Sequence, residues 1–327
     1  MTVGRRRGVM VALALVGAAI AVVPPTAVAA PPEAVVDRVD ASAERLRGDL
    51  TALQAIADRN GGNRATGTPG FAESVDYVRQ TLESLGIGTQ EHEFKAQNGH
   101  KGRNLLADIP GRDPEHAVML GAHLDSVPTG PGIGDNGTGV AVLLEIARQV
   151  KANGLADRTL RLAFWDDEEA GAVGSRQWVA EHTAELPRLT AYLNVDMLAL
   201  RDGTTQVFDA DRSSWSSLPA DLAEELARSQ PKPAQGSERI ERLLSDALRA
   251  AGRPVVEDQV LFLSSDSNSF VADVPTGGLV SAPGITPEGV LGECYHQACD
   301  RTSYVNEEEL RVSTAVLSTV TRQLLMT

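Results

Sequence analysis

The sequence predicts an α/β fold with a mostly parallel sheet and helices on both faces. Three observations carry that prediction. Short apolar runs of strand length alternate with longer stretches striped at helical spacing. The residues able to do chemistry fall just after the apolar runs, where α/β sheets place their active loops. No internal repeat and no linker divides the 327 residues, so one large core is expected. A hydrophobic content of 42% with 23% charged residues belongs to a globular chain rather than a disordered one.

The elements follow in order. From Glu33 to Asp58, Val36, Val39, Leu46, Leu50, Leu53 and Ile56 recur at helical spacing, and Gly61-Gly62-Asn63 ends the helix. Arg64 to Gly70 reads as a loop, and Phe71 to Leu85 as a second helix closed by Gly86. Strands are expected over Ile87–Phe94 and Asn104–Ile109, and a third begins at Val118. A helix over Val140–Val150 follows the Gly-rich turn. Then come a strand at Thr159–Trp165, a helix at Ser175–Glu181 and a strand at Leu189–Val195. Residues 201–236 are less orderly and read as a surface insertion or lid, with a short acidic helix over Leu218–Ser229. Ser237–Ala251 returns as helix, Val280 ends a late strand, and Glu307–Met326 is a terminal helix.

The first thirty residues differ in kind. Arg5-Arg6-Arg7, the apolar run Val9–Val23 and the small residues Ala27-Val28-Ala29 have the layout of a secretory signal peptide. We read residues 1–30 as that signal and 31–327 as the mature domain, exported and free of the membrane after cleavage. The formal charge of −14 becomes more negative when the three arginines leave. Such a chain has no electrostatic case for nucleic acid or anionic lipid. In an exported protein the closely spaced Cys294 and Cys299 read as a disulfide around Tyr295 and His296. A thiolate zinc site is the rival.

The chemistry begins at MLGAHLDSVPTGPGIGDNGTG, residues 119–139. A strand ending in His123-x-Asp125, with Asp135 on the following loop, offers nitrogen and oxygen donors to a metal such as zinc. Asp125 is placed to take the other ring N–H of His123 or of a neighbour. After the next strand comes Asp166-Asp167-Glu168-Glu169, four carboxylates whose mutual repulsion calls for a nearby positive charge. With alternation at the strand end, Glu169 coordinates while Glu168 faces the cavity as a proton acceptor. Asp196 closes a further strand and His296 follows Tyr295. His123, Asp135, Glu169, Asp196 and His296, with one carboxylate bridging, suit two divalent ions about 3.5–4 Å apart.

Taken together, the blocks AIADRNGGNRATGTPG, MLGAHLDSVPTGPGIGDNGTG, FWDDEEAGAVGS, NVDM, VPTGGL and CYHQACD occur in one order from about Leu53 to Tyr304. In these the chain resembles the secreted bacterial double-zinc aminopeptidases, zinc exopeptidases that remove N-terminal residues. The resemblance implies a single globular α/β domain with a mixed, mainly parallel central sheet, of the zinc-exopeptidase or phosphorylase/hydrolase-like kind. It implies two zinc ions, one on His123 and Asp196, the other on Glu169 and His296, with Asp135 bridging. It implies a cis peptide at Asp135-Asn136, Glu168 as general base, Tyr295 as oxyanion donor and Asp125 as the partner of the zinc-bound histidine. Peptide N-termini, preferably apolar, would be the substrates, and a monomer the working form.

Some residues depart from that pattern. Ser265-Asp266-Ser267 stands where Ser-Asp is commonly followed by Tyr or His, which would alter one wall of the substrate pocket. Gln206–Lys232 has no counterpart in the pattern, and no residues can be matched to the calcium that stimulates some relatives. Two alternatives remain open. A single-zinc glutaminyl cyclase shares the acidic strand end but generally carries Trp where Tyr295 stands. A secreted binding module could keep the fold and lose activity, although the complete ligand set with Glu168 and Tyr295 opposes it. A carboxypeptidase lacks a nominated cation for the substrate carboxylate.

Overall fold

The computed structural model of the chain describes residues 33–258, 264–283 and 292–326, with side chains from residue 42 onward. The segment read as a signal peptide lies outside the described residues. Chain order runs α1 (Glu33–Arg59), α2 (Pro69–Ser84), β1 (Thr89–Lys95), β2 (Lys101–Ile109), β3 (Asp113–His123), α3 (Thr138–Asn153), β4 (Arg158–Trp165) and α4 (Val173–Glu181). It continues with β5 (Leu189–Val195), β6 (Thr204–Phe208), α5 (Ala220–Ser229), α6 (Ser237–Ala250), β7 (Glu257–Asp258), β8 (Thr276–Ala282) and α7 (Glu307–Leu325).

The strands form one eight-stranded sheet in the order β1-β2-β4-β3-β5-β8-β6-β7. Its centre, β4-β3-β5-β8, is parallel, while β1, β2 and β6 join antiparallel. The period of two is visible in the core. Val118, Leu120 and Ala122 pack under α1, α2, α3 and α7, while Met119 turns to the opposite face. There it meets Trp165, Tyr192 and Phe270, with Trp178 of α4. Both faces of the parallel strands are covered, as their apolar runs require. From β3 the chain steps to β4 on one side and then to β5 on the other. The carboxyl end of β3 is therefore the point where the winding reverses, and a crevice opens there.

Several element bounds differ from the sequence reading, and two of the differences have a visible cause. Helix α2 starts at Pro69 rather than Phe71, because Thr68 caps it with its hydroxyl accepting the Phe71 N–H at 3.2 Å. Residues 201–236 are not wholly an insertion, since Thr204–Phe208 is strand β6 of the main sheet, paired with β8. The remaining stretch leaves β6 toward the amino end of β8. It returns there, with the Ala234 N–H on Val271 O at 2.7 Å and the Thr276 N–H on Ser237 Oγ at 2.9 Å. Its stem thus stands away from the carboxyl ends of the parallel strands. Among the described residues no helix is long and apolar enough to cross a membrane.

Leu120 is fully buried between β4 and β5, whereas Leu155 is 57% exposed. Leu120→Ala is expected to destabilise the fold by about 2–5 kcal/mol. Leu155→Ala should change stability by no more than about 0.5 kcal/mol. Urea denaturation of both variants checks the contrast.

Candidate active site

His123 is the last residue of β3, level with Trp165, the last of β4. Asp196 follows Val195 at the end of β5, and Glu168 and Glu169 follow Trp165. Adjacent parallel strands thus deliver these donors to one edge. Asp135 comes from the loop that links β3 to α3, and the peptide after it, Asp135-Asn136, is cis. His296 lies between Cys294 and Cys299, which form a disulfide with a Cα–Cα distance of 5.3 Å. Within that ring His296 has φ +59°, a left-handed conformation uncommon for a residue with a Cβ.

These side chains converge in two groups that share one member. His123 Nε2 lies 3.0 Å from Asp135 Oδ1 and 3.3 Å from Asp196 Oδ1. His296 Nε2 lies 3.4 Å from Asp135 Oδ2 and 2.8 Å from Glu169 Oε2. The two oxygens of Asp135 therefore face different histidines. In each group the ligand-type atoms lie within 4.8 Å of one another. Glu168 stands beside them, its Oε2 3.9 Å from His123 Nε2.

The donor set fits a divalent metal. Tetrahedral zinc with bonds of about 2.0–2.2 Å needs ligand atoms about 3.3–3.6 Å apart, close to the separations above. Glu169 Oε1 and Asp196 Oδ1 are buried and make no hydrogen bond, a costly condition unless something positive satisfies them. Burial pushes the Glu169 carboxyl up to about 7, with Asp135 adding repulsion. Burial likewise holds Glu168 well above the usual carboxylate range and Asp266 up to about 7. Burial would lower His296, yet its bonds to Asp135 and Glu169 raise it to about 10. So dense an acidic site needs cations to stay ionised.

The surrounding bonds orient each donor. Asp125 is 1% exposed, and its carboxylate lies 3.5 Å from His123 Nδ1. It also accepts the backbone N–H groups of Glu168 at 3.2 Å and Glu169 at 3.3 Å. The carboxylate thereby ties the backbone of two site residues, while His123 Nδ1 makes its hydrogen bond with the main-chain carbonyl of Asp125 at 3.2 Å. The acidic run does not simply alternate. Asp167 has φ +61°, and the first two carboxylates turn into the fold. Asp166 accepts Thr66 Oγ1 and the Arg103 N–H, each at 2.8 Å, and Asp167 accepts the Gln97 N–H at 2.6 Å. This leaves Glu168 and Glu169 for the crevice.

Several participants escaped the sequence reading. Ser265 is a partner of Asp196, to which its hydroxyl donates at 2.6 Å, rather than only a substrate wall. Behind it the Asn194 amide donates to Ser265 Oγ, Tyr192 OH donates to Asn194 Oδ1, and the Trp165 indole donates to Tyr192 OH. Because the indole is an obligate donor, the direction of the whole chain is set. Gly121 makes room for it, since a Cβ there would fall 2.2 Å from the Tyr192 hydroxyl. Arg64, fully buried, donates to the carbonyls of Leu124, Pro131 and Gly132, shaping the loop between His123 and Asp135. Its one legible signal was a charged residue inside a Gly-rich loop. Val280 of β8 joins the apolar cluster of Met197, Leu200, Cys294 and Tyr304, against which Tyr295 packs. A third acidic group, Asp209, Asp211 and Glu241, is explained by backbone bonds, because these carboxylates accept N–H groups of residues 210, 211, 213 and 214.

Comparison with known proteins adds to this geometry. Residues 104–321 match the model of peptidase family M28. The leupeptin-inactivating enzyme 1 of Streptomyces exfoliatus is 33% identical over 95% of this chain and 68% of its own length. A probable lipoprotein aminopeptidase of Mycobacterium tuberculosis is 36% identical over 84% of this chain, which spans 57% of that protein. In fold, a zinc aminopeptidase of Bacillus subtilis is similar with a TM-score of 0.69 at 14% identity, covering 87% of this chain and 95% of that one. A glutaminyl cyclase of Porphyromonas gingivalis is similar too, with a TM-score of 0.66 at 20% identity over 85% and 96% of the two chains. These two likenesses speak for the fold alone.

Ser265→Ala leaves Asp196 without its hydroxyl partner and is expected to weaken metal retention on the order of 10- to 100-fold. Competition with a graded series of chelators reads the loss, and Ser265→Thr should restore retention.

Proposed function

The chain belongs to peptidase family M28 and is a metalloaminopeptidase, and on that premise we propose that it is an exported enzyme working with two zinc ions. One would be held by His123 and Asp196, the other by Glu169 and His296, with Asp135 between them. The observation that carries this reading is Asp135, whose Oδ1 faces His123 at 3.0 Å and whose Oδ2 faces His296 at 3.4 Å. Bound there, the ions would lower the pKa of water and polarise the scissile carbonyl.

The side chains of the protein divide the remaining work. Glu168 takes the proton of the attacking water and passes it to the leaving amine. Its side chain is only 12% exposed, so little bulk solvent competes for that proton. Tyr295 donates its hydroxyl to the developing oxyanion. Burial, with the repulsion of Asp135 and Glu169, pushes its phenol pKa upward, which keeps the proton in place. Its ring stacks on that of His296, with centroids 3.7 Å apart. Asp196 and Glu168 offer negative charge to a free substrate ammonium, which would restrict cleavage to chain ends. The apolar cluster of Met197, Leu200 and Val280 is the natural wall for an apolar first side chain.

Export rests on the N-terminal segment, and the Cys294–Cys299 disulfide suits an oxidising compartment. A single-ion cyclase would leave either His123 with Asp196 or Glu169 with His296 without a cation, and each pair is equally well assembled. Glu168→Gln is expected to keep its metal while turnover of aminoacyl-anilides falls on the order of 100- to 10,000-fold. Full activity in that variant would reject the base. For the native protein, a chelator should abolish hydrolysis and zinc restore it, with leucyl and other apolar anilides cleaved fastest. Chelator-resistant hydrolysis would contradict the metal, and a preference for charged first residues would contradict the apolar wall.

A further inference from the structure

Asp300 immediately follows the disulfide-closed loop and is 3% exposed. It touches none of the five donor side chains. Its Oδ1 accepts the Gly134 N–H at 2.6 Å, its Oδ2 the Asp135 N–H at 3.0 Å, and its carbonyl the Ile133 N–H at 3.2 Å. Three successive amides of the segment that carries the bridging carboxylate thus end on one residue. A carboxylate accepting two adjacent N–H groups fixes the direction of that peptide as well as its position. Gly134 permits the approach, since a Cβ there would lie 2.7 Å from Asp300 Oδ1.

The same segment is held from the other side by Asn136. Its Nδ2 donates to Val195 O at 2.8 Å, and its Oδ1 accepts the N–H groups of Gly139 at 2.9 Å and Met197 at 3.3 Å. Val195 and Met197 flank Asp196. Asp135 is therefore gripped from the His296 loop through Asp300 and from the end of β5 through Asn136. Each grip runs to the side of the site that the corresponding oxygen of Asp135 serves.

The outer donors have separate anchors. His123 leans on Asp125, Asp196 on Ser265, and the His296 carbonyl accepts Thr129 Oγ1 at 2.8 Å. We propose that Asp300 and Asn136 are positioning residues that set the angle at which Asp135 presents its two oxygens. They thereby control the coupling between the two ion positions rather than the hold on either ion. This rests on the two-ion reading above.

The test strips the full-length protein, reloads it with Mn²⁺ as a paramagnetic probe, and compares ion content with the electron paramagnetic resonance spectrum. Two ions sharing a carboxylate give an exchange-coupled spectrum. Asp300→Asn keeps one acceptor oxygen and presents an NH₂ to the other N–H, so it loosens the segment without changing a ligand. The expected result is two Mn²⁺ per chain in both proteins, coupled in the wild type and largely replaced by isolated-ion signals in Asp300→Asn. A wild-type spectrum from the variant overturns the proposal, and so does loss of an ion, which would make Asp300 a holder of metal. If Asp300→Asn does not fold, Asn136→Asp, which loses the donor to Val195 O, carries the same comparison from the other side. A wild type that binds two ions without coupling, or fewer than two, overturns the two-ion reading and this proposal with it.

Discussion

One carboxylate reaching two histidines is the constraint on which the site depends. His123 closes a central strand, and His296 comes from a loop 173 residues later in the chain, as their numbers show. Nothing local brings them together. Asp135 does so because its oxygens diverge, one toward His123 and Asp196 and the other toward His296 and Glu169. Each histidine then sees one shared and one private carboxylate, a nearly symmetric arrangement suited to a pair of like ions.

Such a concentration of buried acid is costly, and much of the surrounding structure offsets that cost. Asp125 ties the loop after β3 to the loop after β4. Ser265 ties Asp196 through Asn194 and Tyr192 to Trp165, so a hydrogen-bonded chain crosses β3 at Gly121. Arg64 adds a fixed positive charge within the fold; burial lowers it only to about 10, so it stays protonated at neutral pH. Each of these groups exchanges water for directed protein partners, which keeps the donors in place before any ion arrives.

Much of this was legible in the sequence, and the rest was hidden for identifiable reasons. The parallel core was legible because β3, β4 and β5 are predominantly apolar at strand length and separated by helical stretches. Strand β6, Thr204–Phe208, was not, since TTQVF is short, polar at three of its five positions and followed by a Ser-rich stretch. The clustering His and carboxylate residues were legible as candidates because such donors are drawn from few residue types, and His123, Glu169 and Asp196 stand at or just after strand ends. Their partners were not. Ser265 is 69 positions from Asp196, and Asp300 is 166 from Gly134, and serines and aspartates at such separations carry no pattern. The inward turn of Asp166 and Asp167 was not legible either, because a left-handed residue at Asp167 redirects the chain before the crevice.

The shared carboxylate can be tested without following catalysis. Elemental analysis of zinc in the dialysed wild type and in Asp135→Ala addresses it directly. Close to two zinc ions per chain are expected in the wild type and less than one in the variant, because both groups lose a donor in a single substitution. A variant that keeps one full equivalent would mean that Asp135 serves only one of the two groups, and the account would be wrong.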